Sequence, residues 1–356
     1  MELGISEASG PAARPPFDPE LALVFEAIGD SAASMTPETT PAMRAVAAAN
    51  TMSVADLRQR PELQLTENVL PGAGGRPDLE VLLVRPARRE APLPGIFFVH
   101  GGGYVLGSHL LGLDDVLDWV VDVGVVVVSV AYRLAPEHRY PAPLEDCYAG
   151  LLWMADRAEA LGVDPDQLFL HGKSAGGGLA AGLALLARDR NGPDLAGQIL
   201  LSPMLDDRAA TPSSQELDGE GVWDRTANAT GWAAYLGDAV GTAHVPAYAA
   251  PARASDLTGL PPTFLDVGSV ETFRDEDVDF AVRLWRAGVA AELHVWPRAF
   301  HGFDGFAPTA VLSLQARAAR LAWFRRVLQH RRKPGGPVAV PTGHQAAADA
   351  AAEPSA

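Results

Sequence analysis

Apolar runs that do not alternate with polar residues constrain this chain more than any other feature. They fall at 96–99 and 125–131, and a strand that is apolar on both faces belongs in a sheet covered on both sides; further strands are read at 168–171, 198–201 and 263–267. Helical patterns lie between them at 175–186 and 276–287, with a further strand at 292–295 and a long helix from 309 to about 332. Repeated strand–helix units predict an α/β fold with a mostly parallel sheet and helices on both faces. Leu63 and Leu65, then Leu79, Val81 and Leu83, alternate on either side of Pro71-Gly72 and predict an antiparallel pair at a sheet edge.

Two segments break this rhythm. Leu21, Leu23, Val24 and Ile28, behind Asp18-Pro19, carry helical spacing and predict two short helices before residue 60. The stretch 206–257 holds Trp223, Trp232 and Tyr235 among many turn residues, and an insertion of that length in a compact domain usually serves function. Segments 18–60 and 206–257 are therefore expected to form a cap over a catalytic α/β domain in two parts, 61–205 and 258–332. The ends, 1–17 and 333–356, are rich in Ala, Pro and Gly and are expected to be disordered.

Composition narrows the partners. Of 356 residues, 48% are hydrophobic and 20% charged, so a large core is available. A net charge of −16, from 44 acidic against 28 basic residues, repels phosphate backbones and anionic bilayers, and neither nucleic acid nor membrane is an expected partner. Cys147 is the single cysteine, so the chain has neither an internal disulfide nor a cysteine-rich zinc site. Residues 1–10, with Glu2 and Glu7, do not read as a signal peptide, and a cytoplasmic protein is expected.

The chemistry is carried by Gly172-Lys173-Ser174-Ala175-Gly176. A Gly-x-Ser-x-Gly run arises by chance often enough that placement must decide its meaning. Here the serine follows an apolar strand and opens a Gly- and Ala-rich helix, the strand-to-helix turn that exposes a serine nucleophile. Upstream, His100-Gly101-Gly102-Gly103-Tyr104 directly follows the strand at 96–99. Backbone N–H groups of side-chain-free residues suit a developing oxyanion, which assigns Gly102 and Gly103, with Ala175 from the elbow, as donors.

A serine hydroxyl needs a base, and the base needs an orienting carboxylate. Of the nine histidines, His301 in Ala299-Phe300-His301-Gly302-Phe303 stands in a loop just after a strand, where catalytic groups of open sheets gather. His171 lies on the strand before the elbow and reads as a core histidine. Glu271, after the strand at 263–267 and Gly268, preserves the chain order Ser, acid, His, with Asp266 and Asp275 as rivals.

With His100–Tyr104, Tyr132-Arg133-Leu134-Ala135-Pro136-Glu137, the elbow extended by Gly177, and His301-Gly302-Phe303 in this order, the chain resembles the hormone-sensitive lipase family of carboxylesterases over about residues 18–330. The resemblance implies the α/β-hydrolase fold, a cap made of the N-terminal helices plus an insertion, and a triad matching Ser174, Glu271 and His301. Segment 132–140 reads in this light as a structural polar network. Two positions depart from the family's commoner pattern: Lys173 precedes the serine where Asp or another non-basic residue is usual, and Glu271 stands where Asp is usual.

Glu serves as well as Asp for accepting an imidazole N–H. Lys173 either pairs with a nearby carboxylate or meets the charge of the substrate. The expected activity is hydrolysis of short- to medium-chain carboxylic esters through an acyl-enzyme on Ser174, without metal or organic cofactor, with Tyr104, Lys173, Trp223 and Phe303 as substrate-binding candidates. Cleavage of amide, carbamate or lactone bonds, a dehydratase reaction, and a non-catalytic ligand-binding role are the alternatives. Either a monomer or a homodimer is expected.

Overall fold

The unalternated runs form the middle of a single eight-stranded sheet in the computed structural model, which describes residues 14–28, 34–72, 75, 77–88 and 92–331. Its strands are β1 (Leu63–Leu70), β2 (Leu79–Pro86), β3 (Leu93–Val99), β4 (Val126–Val130), β5 (Val163–Lys173), β6 (Gly197–Leu201), β7 (Thr263–Gly268) and β8 (Ala291–Trp296). They lie in the order β1-β2-β4-β3-β5-β6-β7-β8. The expected edge hairpin is present: β1 pairs antiparallel with β2, and β2 antiparallel with β4, while every pairing from β4 across to β8 is parallel.

Alternate side chains of the buried strands feed two cores. Phe97 and Val99 of β3 join Val126, Val128 and Val130 of β4 on one face, together with the apolar residues of helices Ala142–Asp156 and Ala175–Asp189. Ile96, Phe98 and Val127 point to the other face, toward helices Asp114–Asp122 and Val311–Arg331. There Trp119 stacks on Phe324 with ring centroids 5.0 Å apart. Period-two geometry sends neighbouring side chains to opposite faces, which is why these strands must be apolar throughout.

His171 falls on this second face, fully buried between Phe98 and Trp119, with neither ring nitrogen hydrogen-bonded among the described residues. Burial lowers its pKa to about 4, so it stays neutral, a core histidine as its place on the strand indicated.

The N-terminal region differs from the expectation of two helices. Among the described residues three segments are helical, Pro19–Ile28, Thr40–Asn50 and Val54–Leu57. The third is a short turn nucleated by a reciprocal cap: Ser53 Oγ accepts the Asp56 N–H at 3.1 Å and Asp56 Oδ2 accepts the Ser53 N–H at 2.9 Å. Of the ends expected to be disordered, 1–13 and 333–356 lie outside the described residues. Residues 14–17 are tied down, since the Arg298 guanidinium donates to the carbonyls of Pro16 and Phe17 at 2.8 and 2.7 Å.

Two elements outside the sheet reach the glycine loop after β3. Arg44 of helix Thr40–Asn50 donates to the Val105 and Ala135 carbonyls at 2.6 and 2.8 Å and grips Glu137 with both terminal nitrogens. Within 206–257 the main element is helix Arg225–Leu236, started by Asp224, whose Oδ1 accepts the Ala227 N–H at 2.8 Å. A Cβ on its Gly231 would stand 3.0 Å from the Gly103 carbonyl oxygen, so glycine lets this helix approach the loop closely.

Candidate active site

Parallel strands deliver their carboxyl ends to one edge of the sheet, and four of those ends supply the site. Ser174 follows β5, the glycine loop follows β3, Glu271 lies three residues past β7, and His301 five past β8. The elbow holds Ser174 at φ 57° and ψ −126°, a conformation that costs a non-glycine residue free energy and persists where its surroundings enforce it. The enforcement comes from close approach: a Cβ at Gly176 would sit 2.2 Å from the Val99 carbonyl oxygen and 2.3 Å from that of His100. Only glycine admits that contact, so the elbow spacing serves packing as much as bending.

The three residues singled out for proton transfer stand in series. Ser174 Oγ lies 2.9 Å from His301 Nε2, and His301 Nδ1 lies 3.0 Å from Glu271 Oε2. All three are less than a tenth exposed. Glu271 is oriented by its other oxygen, which accepts the Phe273 N–H at 3.3 Å. The rival carboxylates are committed elsewhere: Asp266 to Arg320 and the Trp296 indole, Asp275 to Arg274 and the Ser213 N–H.

In the glycine loop, the Gly102 and Gly103 N–H groups donate to no backbone carbonyl of the described residues. Ala175 is the first residue of its helix, so its N–H has no intrahelical acceptor. Gly103 adopts φ 60°, and a Cβ there would lie 2.2 Å from the Trp223 ring. Trp223 thus covers the loop, with its ring centroid 6.3 Å from that of His301.

The other three substrate-binding candidates are held by contacts within the fold. Tyr104 is fully buried, stacks on Tyr235 at 4.1 Å, and gives its hydroxyl to the Met204 carbonyl at 3.3 Å. Phe303 is packed with Leu21, Phe300 and Ala316 in a small core beneath the first helix. Lys173 directs its ammonium to Asp304 Oδ1 at 3.1 Å and Asp115 Oδ2 at 3.5 Å. Burial alone would lower its pKa, but Asp115 and Asp304 outweigh that and raise it, which keeps the cation charged. Residues 132–140 do form a polar network, in which Arg133 grips Asp146 at 2.7 Å through two nitrogens.

Phe273, which sequence reasoning passed over, sets its ring edge-on to His301 at 5.2 Å and 85°. Its position two residues after Glu271 was the only signal. Also unforeseen are two buried acids behind the triad, Glu276 and Asp277. Glu276 Oε1 accepts the Leu205 and Asp206 N–H groups at 2.8 and 3.1 Å, while Glu276 Oε2 and both Asp277 oxygens have no hydrogen-bond partner among the described residues.

Burial, and for Asp277 the neighbouring Glu276 and Glu271, push both pKa values well above the ordinary carboxyl range. The folded protein thus holds the Asp277 proton more tightly than the unfolded chain does. Stability from this group is full below the unfolded value of about 4 and is lost as pH rises above it. Asp277→Asn mimics the neutral form, so its free energy of unfolding, from urea titration, should match the parent near pH 4 and exceed it at pH 8 by about 1–3 kcal/mol. An unchanged difference between the two pH values would refute that protonation state.

A nucleophile elbow, a glycine loop and an acid–histidine relay on the carboxyl ends of a parallel sheet define the serine-hydrolase class of α/β proteins. The chain belongs to the alpha/beta hydrolase fold family, whose model matches residues 96–305. It is 35% identical over 327 residues to carboxylesterase NlhH of Mycobacterium tuberculosis, covering 89% of this chain and 98% of that protein. Esterase LipI of the same organism is 32% identical over 268 residues, 75% of this chain and 83% of that one. Among solved structures, a bacterial heroin esterase superposes with a TM-score of 0.80 at 37% identity, covering 88% of this chain and 98% of its own. Among the described residues no helix is long and apolar enough to cross a membrane.

Proposed function

We propose that this protein is a serine carboxylesterase acting on short- to medium-chain carboxylic esters through an acyl-enzyme on Ser174. The observation that carries the reading is the continuous hydrogen-bonded series Ser174 Oγ, His301, Glu271, at 2.9 and 3.0 Å. His301 takes the hydroxyl proton as Oγ attacks the ester carbonyl. Glu271 accepts the Nδ1–H, holds the imidazole in the required tautomer and stabilises the imidazolium that forms. Negative charge on the former carbonyl oxygen is met by the N–H groups of Gly102, Gly103 and Ala175.

Collapse of the intermediate passes the proton from His301 to the departing alcohol. Water then enters, gives its proton to His301, and attacks the acyl-enzyme to release the acid and restore Ser174. The indole of Trp223 over Gly103 narrows the space beside this chemistry, which favours small acyl groups. Segments 18–60 and 206–257 act as the cap, supported by the contacts of Arg44 and Gly231 with the glycine loop. The substrate is a small-molecule ester, and the single, buried Cys147 suits a cytoplasmic setting.

A panel of p-nitrophenyl acetate, butyrate, octanoate and palmitate, run beside an anilide, a carbamate and a lactone, tests the reading. Highest kcat/KM is expected on acetate to octanoate, together with stoichiometric labelling of Ser174 by a fluorophosphonate. Faster turnover of the anilide, carbamate or lactone would assign the site to that bond instead, and absence of labelling would remove Ser174 as nucleophile.

A further inference from the structure

We propose that the Lys173–Asp304 ion pair is a positioning clamp that ties the nucleophile elbow to the histidine loop and thereby sets the Ser174–His301 distance; this rests on the triad reading above. Lys173 is the residue before the nucleophile, and Asp304 is the third after the base. Their 3.1 Å contact spans 131 residues of sequence and joins the two loops whose relative placement decides whether Oγ and Nε2 meet. The lysine stem follows the histidine loop closely: its Cε would lie 3.9 Å from a Cβ on Gly302, and its Nζ 3.4 Å from one on Gly305.

Both ends of the clamp are anchored. The second oxygen of Asp304 is held by Arg320, whose Nε also reaches Asp266 Oδ2 on β7 at 2.7 Å. Asp115, from the helix after β3, flanks the ammonium on its other side at 3.5 Å. The side chains of Lys173, Asp304 and Arg320 are 18%, 2% and 4% exposed, so the contact is little screened by water. An anionic substrate group would have to compete with two carboxylates already at the ammonium, so substrate-charge recognition is not the role this geometry supports. A cation before the serine requires an anion on the facing loop, and Asp304 supplies it.

The experiment compares Lys173→Met, Lys173→Arg and Asp304→Asn in the full chain, assayed well below each variant's thermal midpoint. Displacements of a fraction of an ångström between nucleophile and base cost rate rather than affinity. In Lys173→Met and Asp304→Asn, kcat on a neutral ester and the rate of fluorophosphonate inactivation should both fall about ten- to hundredfold, with KM within about threefold. Lys173→Arg keeps the charge and should stay within about threefold of the parent in kcat.

A folded Lys173→Met with parental kcat and inactivation rate overturns the clamp; should Lys173→Met not fold, parental rates in Asp304→Asn overturn it equally. A rise in KM confined to anionic esters, with kcat intact, overturns it in favour of substrate binding. If the parent protein is itself neither labelled nor active on esters, the esterase reading fails and takes the clamp with it; a labelled, active parent with unaltered variants removes the clamp alone.

Discussion

Ser174→Ala is expected to lower kcat on short p-nitrophenyl esters by about 10⁴- to 10⁶-fold while leaving the protein folded. The loss is large because no other group can replace the acyl acceptor: His301 then has no Oγ to deprotonate, and the reaction must proceed by direct water attack. Residual catalysis of about 10³-fold over water should remain, since the Gly102, Gly103 and Ala175 donors and the binding surface are intact. Folding should persist because Ser174 Oγ contributes a hydrogen bond to His301 and little packing. At φ 57° alanine is strained as serine is, and the Gly172 and Gly176 contacts that enforce the turn are unchanged. Initial rates, intact-mass measurement after fluorophosphonate treatment and circular dichroism check the three statements. Turnover within tenfold of the parent would show that another residue is the nucleophile.

The variant also bears on how this site could be read from sequence. That Ser174, Glu271 and His301 stand together was legible because each constraint on them is local: a turn that must follow a strand, a carboxylate and an imidazole that must occupy loops at strand ends, in a fixed order. The sheet was legible for a similar reason, since apolar runs such as 96–99 and 125–131 have no other stable place than between two layers of helices. Trp223, whose ring lies over Gly103, stood out through its place in an insertion.

What escaped was set by contacts across the sequence. Tyr104 adjoins the glycine loop, but adjacency does not fix which way a ring points, and its partner Tyr235 lies in a distant helix. Phe303 follows His301 by two residues yet faces the core beneath the first helix, because Gly302 turns the chain at φ 71°. Lys173 showed as an anomaly of charge, whereas Asp304, Asp115 and Arg320 carried no sign of being its neighbourhood. The short helix Val54–Leu57 was missed although Ser53-x-x-Asp56 is a readable cap, since four residues give no hydrophobic periodicity to detect.

Glu271 is the one member of the proposed triad whose residue type departs from the pattern the family usually shows, and its replacement by Gln tests whether its role is to orient and stabilise the imidazole. Glu271→Gln preserves size and packing in a position that is 1% exposed, so the fold should survive. It removes the negative charge facing Nδ1 and offers an amide that can donate where only an acceptor serves. The imidazole can then settle with its proton on the wrong nitrogen, leaving Nε2 unable to accept from Ser174. A fall in kcat of about 10³- to 10⁴-fold is expected, with KM little changed because Glu271 touches no substrate. Fluorophosphonate inactivation should slow in parallel, since it requires the same deprotonation. Glu271→Asp keeps the charge but withdraws it by one methylene from a contact already 3.0 Å long, so it should lose far less, about tenfold. Equal activity in the Gln and parent enzymes would mean that the carboxylate only packs, and the base would have to be oriented by another acceptor. The order parent, Asp, Gln, measured in one assay, separates a need for charge from a need for shape: loss of shape alone would make the shorter Asp the worse of the two.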